Sequence, residues 1–231
     1  MLFRSVRVGP IDSYDRINDA VYGNGLYLAV YESGHLDYSP DGASWNRLTM
    51  SSYGFTGASF ANGRFFALGP GGLLITTTAP QNHQWTFLNS GTGQTLYKTA
   101  HGAGIYVTVG ANGTVLTSTD TLIWSARSPN GVTTHINDLI FADGKFVLVS
   151  EGGSIRTSAD GIAWTARTNP LGIGLRSLLH AGGRFHAFPA TGTSFLTSPD
   201  GVVWAAAQHG STQGVVDVVE FQGRLHLVGP H

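Results

Sequence analysis

Three observations in the 231-residue sequence predict an all-β fold, a six-bladed β-propeller with blades of roughly 40 residues. The tryptophans recur with one period, a set of hairpin glycines recurs with the same period, and only 12% of the residues are charged while 32 are glycine. The five tryptophans are Trp45, Trp85, Trp124, Trp164 and Trp204, spaced 40, 39, 40 and 40 apart. The glycines are Gly25, Gly63, Gly104, Gly144, Gly183 and Gly223, spaced 38, 41, 40, 39 and 40 apart.

Each of these glycines follows a short turn and precedes an aromatic or leucine two places on: Tyr27, Phe65, Tyr106, Phe146, Phe185 and Leu225. Asn24-Gly25, Asn62-Gly63 and Asp143-Gly144 are strong hairpin signals, because both central residues of such a turn need a positive φ. The innermost strand of each blade is therefore expected to begin near Asp19, Gly57, Tyr97, Asp138, Ser177 and Asp217. In the fourth blade the strands read as 138–142, 145–150, 154–158 and 163–167. The run Phe146-Val147-Leu148-Val149 is apolar on both faces, as a strand packed between two neighbouring sheets must be.

Four tryptophans close a common turn. It reads Ser39-Pro-Asp41-Gly42-Ala-Ser-Trp45, Ser118-Thr-Asp120-Thr-Leu-Ile-Trp124, Ser158-Ala-Asp160-Gly161-Ile-Ala-Trp164 and Ser198-Pro-Asp200-Gly201-Val-Val-Trp204. Short Ser and Asp side chains accept backbone N–H bonds inside a turn, and the tryptophan covers it with a large apolar face. The second blade keeps Trp85 but has Thr78-Ala79-Pro80-Gln81-Asn82-His83-Gln84 before it, without the Asp or the Gly.

Six hairpins but five tryptophans leave the last blade without its outer strands. Arg4-Ser5-Val6-Arg7 resembles Trp124-Ser125-Ala126-Arg127, and Arg7 precedes Asp19 by 12 residues where Arg127 precedes Asp138 by 11. Closure of the ring is expected by pairing of residues 3–8 with the C-terminal blade, in a single domain spanning 1–231. The counterpart of residues 113–120 is missing from that blade, so it is expected to have three strands or to offer an open seam.

The Ser-x-Asp-Gly-x-x-Trp turns resemble the Asp-box (BNR-type) repeats of sialidase-like propellers, although the usual Asp box has one more residue between Asp and Trp. The resemblance implies that the boxes are structural and sit on the face away from a catalytic site. It also implies what a sialidase would need: an arginine triad, a Tyr–Glu pair and an acid Asp. Arg16-Ile17-Asn18 is the nearest string to the family's Arg-Ile-Pro, the blades are minimal, and no catalytic residue is expected.

Net charge of −1 without a basic run sets nucleic acid aside. Absence of cysteine removes disulfides and thiolate metal sites. The first residues carry no long apolar stretch, so no secretory signal peptide is expected, and no 18-residue apolar run predicts a membrane span. His186 and His226 share one repeat position and read as strand residues. The Asp of each turn stands alone, whereas calcium needs several convergent oxygens, so no metal or cofactor is expected. The face opposite the Trp turns is the candidate binding face. Its polar and aromatic residues are Tyr14, Arg16, Asp19, Tyr53, Phe55 and Tyr97 in the first half, then His135, Asp138, Arg176 and Asp217. These differ between blades, which points to one interface rather than six equal pockets. The expected function is a non-enzymatic interaction module whose partners are other proteins of a larger assembly or a cell-surface glycan. Compact propellers that serve as tail or accessory parts of bacteriophage virions are similar. Alternatives are a lectin and an assembly factor resembling the photosystem-assembly propellers.

Overall fold

The computed structural model describes residues 15–50, 54–208, 217–221 and 224–228. Apart from three single-turn 3-10 segments, every regular element among these residues is a strand, and no helix is long and apolar enough to cross a membrane. Strands β1 (Ile17–Gly23), β2 (Leu26–Tyr31), β3 (His35–Ser39) and β4 (Asn46–Thr49) form the first sheet in chain order. The second has β5 (Gly57–Ala61), β6 (Arg64–Leu68), β7 (Leu74–Thr77) and β8 (Thr86–Phe87). The third has β9 (Leu96–Gly102), β10 (Ile105–Gly110), β11 (Val115–Ser118) and β12 (Ser125–Arg127). The fourth has β13 (Ile136–Ala142), β14 (Lys145–Ser150), β15 (Ile155–Ser158) and β16 (Thr165–Arg167). The fifth has β17 (Ser177–Ala181), β18 (Arg184–Phe188), β19 (Ser194–Ser198) and β20 (Ala205–Gln208), and β21 (Asp217–Phe221) pairs with β22 (Arg224–Val228).

The first strands start within two residues of the expected positions. The hairpins form as their sequences require, with positive φ at Asn24 and Gly25, Asn62 and Gly63, and Asp143 and Gly144. Five sheets have four strands, and a sixth four-stranded sheet is not found among the described residues. The segment expected to join β22, residues 3–8, lies outside them.

The chain divides into two compact units between Thr99 and Ala100, inside β9. In the first unit one apolar cluster joins the first two sheets: Leu28, Val30, Leu36 and Leu48 against Phe55, Ala58, Phe65, Ala67 and Ile75. In the second unit β14 is sandwiched. Phe146 and Leu148 pack toward Val107, Val109 and Trp164, while Val147 and Val149 pack toward Leu178, Phe185, Leu196 and Trp204. A strand buried on both faces has no place for polar alternation, which explains the continuous apolar run.

Two of the first strands carry the same tripeptide, Ile17-Asn18-Asp19 and Ile136-Asn137-Asp138, and both are bulged there. The extra residue turns the Asn and Asp side chains toward the next sheet of the same unit. Asn18 donates to the Phe55 carbonyl at 2.7 Å and Asn137 to the Leu175 carbonyl at 2.8 Å. The Asp19 carboxylate accepts from the Ala58 N–H at 3.0 Å, and that of Asp138 from the Leu178 N–H at 2.7 Å. A bulged Ile-Asn-Asp is thus an inter-sheet clasp.

Candidate functional site

Antiparallel order places the second-to-third connection of each sheet, and the exit from its fourth strand, on one edge. This loop edge is the candidate face. Arg16 is exposed at the loop edge of the first sheet, in the first unit, and Arg176 at the entry to the fifth sheet, in the second. The Arg16 carbonyl accepts from the Glu32 N–H at 3.0 Å, and the Arg176 N–H donates to the Phe188 carbonyl at 2.8 Å. His135 is half-buried; its Nδ1 accepts from the Asn112 N–H at 3.3 Å and its carbonyl from the Glu151 N–H at 2.9 Å. Tyr97 is half-buried. Tyr14 and Tyr53 lie outside the described residues, and Asp217 is described only as the first backbone position of β21.

Three expectations change. Phe55 is not an exposed aromatic but fully buried: its N–H bonds the Tyr31 carbonyl at 2.9 Å, which turns the chain inward and seats the ring in the core of the first unit. Asp138 is buried, and its two oxygens accept from the Leu139 and Leu178 N–H groups at 2.8 and 2.7 Å, so it serves the clasp rather than a ligand. Asp19 makes the corresponding bonds to Ala20 and Ala58 and adds an ion pair with Lys98 Nζ at 2.8 Å. Replacing Asp138 by Ala strands two backbone donors and is expected to cost about 2–3 kcal/mol. Chemical denaturation checks this, and an unchanged midpoint would show that the clasp contributes nothing.

The loop edge of the second sheet holds an open groove of about 590 Å³, which sequence reading missed. It is lined by Pro70, Leu73, Leu74, Phe87, Leu88 and Ser90. Ser90 Oγ fixes one wall by donating to the Gly72 carbonyl at 2.7 Å. Phe87 stands 60% exposed on the two-residue edge strand β8, so its ring meets water.

The first sheet hides a polar cluster that is not repeated in the other four-stranded sheets among the described residues. Arg47 Nε and Nη2 donate to Asp37 Oδ1 and Oδ2 at 2.9 and 3.1 Å. Its Nη1 lies 3.3 Å from Asp15 Oδ2, and its guanidinium sits 4.7 Å over the Tyr31 ring. Tyr31 donates to Asp37 at 2.6 Å, and burial, reinforced by that carboxylate, pushes the phenol well above its ordinary range. By strand register Asp37 occupies the place of the buried, apolar Ile75, Leu116 and Leu196 in the second, third and fifth sheets, and of Arg156 in the fourth. That misplaced charge was the available sequence signal.

On the opposite edge, the four Ser–Asp–Trp turns share one bonding scheme. Asp41 Oδ1 accepts from the Ala43 and Ser44 N–H groups at 2.8 Å each, and Ser39 Oγ accepts from the Gly42 N–H at 2.8 Å. Asp120, Asp160 and Asp200 repeat this with Ser118, Ser158 and Ser198. The indoles of Trp45, Trp124, Trp164 and Trp204 donate to the carbonyl three residues back at 2.9 to 3.2 Å. That residue has a positive φ in all four turns, and in one it is Thr121 (φ 70) rather than glycine. Trp85, whose turn lacks the Asp, has a buried Nε1 with no partner among the described residues.

The backbone donors of Ser44 and Ala43 hold Asp41 down to about 2 from its ordinary 3.8, and the other three carboxylates are lowered by equivalent bonds. A depressed folded-state value stabilises the fold above the unfolded value and is lost as pH falls through the folded one. Melting temperature is therefore expected to hold from pH 7 to 5 and to drop between about pH 4 and 2. Replacing all four Asp by Asn is expected to flatten that acid limb; an unchanged limb would assign it to other carboxylates.

Among the described residues no three His, Asp, Glu or Cys side chains converge as a metal site would require. His186 is half-buried between Phe188 and Phe195, at ring distances of 6.5 and 5.8 Å.

No protein-family model and no curated protein matches the chain. Solved structures do. YCF48 bound to D1 peptide is similar with a TM-score of 0.69 and 15% identity, over 93% of this chain and 76% of that one. The WD40 β-propeller domain of Doa1 has a TM-score of 0.71 and 10% identity, over 92% and 75%. Virginiamycin B lyase from Staphylococcus aureus has 0.74 and 7%, over 84% and 70%. Identities this low carry the fold and nothing finer: the chain has an all-β, propeller-like fold.

Proposed function

We propose that this chain is a non-enzymatic protein-interaction module of Asp-box-type blades, six in number, which holds a protein partner of a larger assembly on its loop edges. The observation that carries the reading is the groove beside Phe87. The second sheet builds an open groove flanked by an exposed aromatic on an edge strand. Apolar anchors with a few polar contacts are the usual chemistry of protein docking. The neighbour YCF48, solved with a peptide bound, supports the same reading. The compact blades suggest a bacteriophage particle as the setting.

The test is affinity purification of the tagged chain from its source under native conditions, with crosslinking to locate contacts. We expect a stable protein partner crosslinked beside residues 70–92, and retention at least tenfold lower for Phe87→Asp. A glycan array with saturable sugar binding and no protein partner would replace this reading by a lectin. Turnover of a fluorogenic sialoside, lost on changing one arginine, would replace it by an enzyme.

A further inference from the structure

The tips of three Ser–Asp–Trp turns in the second unit are apolar where the turn itself does not require it. Between Asp and Trp the turn of the third sheet carries Leu122 and Ile123, that of the fourth sheet Ile162 and that of the fifth sheet Val203, exposed by 66%, 74%, 44% and 67%. The turn chemistry uses only the backbone N–H groups of these positions, and the first sheet fills them with Ala43 and Ser44. Four of the eight large exposed apolar residues among the described ones thus lie at a single kind of site.

The tips are fixed and set in series. Each is tied by two bonds to its Asp, so little conformational entropy remains to be lost on docking. The turn of the fourth sheet lies against the third sheet, where a Cβ on Gly161 would stand 2.6 Å from Val107. The turn of the fifth sheet lies against the fourth sheet, where one on Gly201 would stand 3.4 Å from Val147.

The charges around the tips select what covers them. This edge carries four described carboxylates in the unit, Asp120, Asp143, Asp160 and Asp200, against Lys145, Arg184 and the His180 ring that sits 2.9 Å from Asp143. In the three turns the backbone N–H groups bond Oδ1, and among the described residues Oδ2 accepts no turn N–H. A second copy docked face to face would oppose like charges. We propose that these three turn tips form a second docking surface, separate from the loop edge, for a protein partner whose apolar contact is rimmed by lysine or arginine.

The probe is a pair of synthetic 18-residue amphipathic helices, both with a leucine face, one with a lysine rim and one with a glutamate rim. Binding to the full chain is read by fluorescence anisotropy. We expect saturable binding of the lysine peptide and at least tenfold weaker binding of the glutamate peptide. Ile123→Ser with Val203→Ser, or Leu122→Ser alone, is expected to weaken the lysine peptide at least tenfold at unchanged melting temperature. Phe87→Asp is expected to leave it unchanged, which separates this surface from the groove. Equal binding by variant and parent, or equal binding of the two peptides, overturns the proposal. Tip-dependent binding to phosphatidylcholine–phosphatidylglycerol vesicles overturns it in favour of lipid. Tip-dependent dimers in sedimentation overturn it in favour of a second copy.

Discussion

Truncation of Trp164 to alanine is expected to remove about 3–5 kcal/mol of stability. The indole is 4% exposed, its ring centre lies 6.5 Å from that of Phe146, and it completes the apolar cluster between the third and fourth sheets. Its Nε1 also holds the Gly161 carbonyl at 3.2 Å, so the substitution opens a cavity and loosens the turn together. For a chain of this length each kcal/mol moves the melting temperature by roughly 2–4 °C, which makes the expected drop about 10 °C. Trp124, in the same role but half-buried, is expected to lose less. Thermal melts followed by circular dichroism decide this, and a Trp164→Ala variant that melts with the parent would show that the tryptophan register marks sequence repetition without structural weight.

The strand layout was legible because its signals are local. A turn with Asn-Gly or Asp-Gly sets its own hairpin, and a Ser–Asp–Trp turn sets its own hydrogen bonds, so each repeat announces itself within a few residues. What escaped depends on partners far along the chain. Phe55 sits in a connection and reads as a loop aromatic; only the bond from its N–H to the Tyr31 carbonyl shows that the connection dives beneath the sheet. Asp19 and Asp138 read as face residues because they begin strands, but the bulge beside each one re-aims its carboxylate by a register shift that no composition signal marks. The groove beside Phe87 arises from the spacing of two connections, 69–73 and 88–95, whose separation is a property of the packed sheet. The apolar turn tips were visible as residues, yet only their exposure shows that they serve no core.

Replacement of Arg47 by alanine is the second large effect, also about 3–5 kcal/mol, and here the cause is charge rather than volume. Asp37 is 2% exposed, and Arg47 is its cationic partner. Without the guanidinium, a carboxylate in a position that three other sheets fill with Ile75, Leu116 and Leu196 must stay charged without a cation or take up a proton. The Asp15 carboxylate, 3.3 Å from Nη1, loses its cation as well. The triple variant Tyr31→Phe, Asp37→Leu, Arg47→Ala separates this penalty from the worth of the network. It gives the first sheet the Leu and Ala that the fifth sheet pairs at Leu196 and Ala206, and it removes the phenol that Asp37 had satisfied. Exchange of a buried ion pair for apolar residues is often neutral, so the triple variant is expected to recover the part of the loss that comes from Asp37, while Asp15 lacks its cation in both variants. The two melting temperatures, compared with the parent, measure it. A triple variant no more stable than Arg47→Ala would mean that the Tyr31–Asp37–Arg47 network itself holds the first sheet together, beyond merely neutralising its own buried charge.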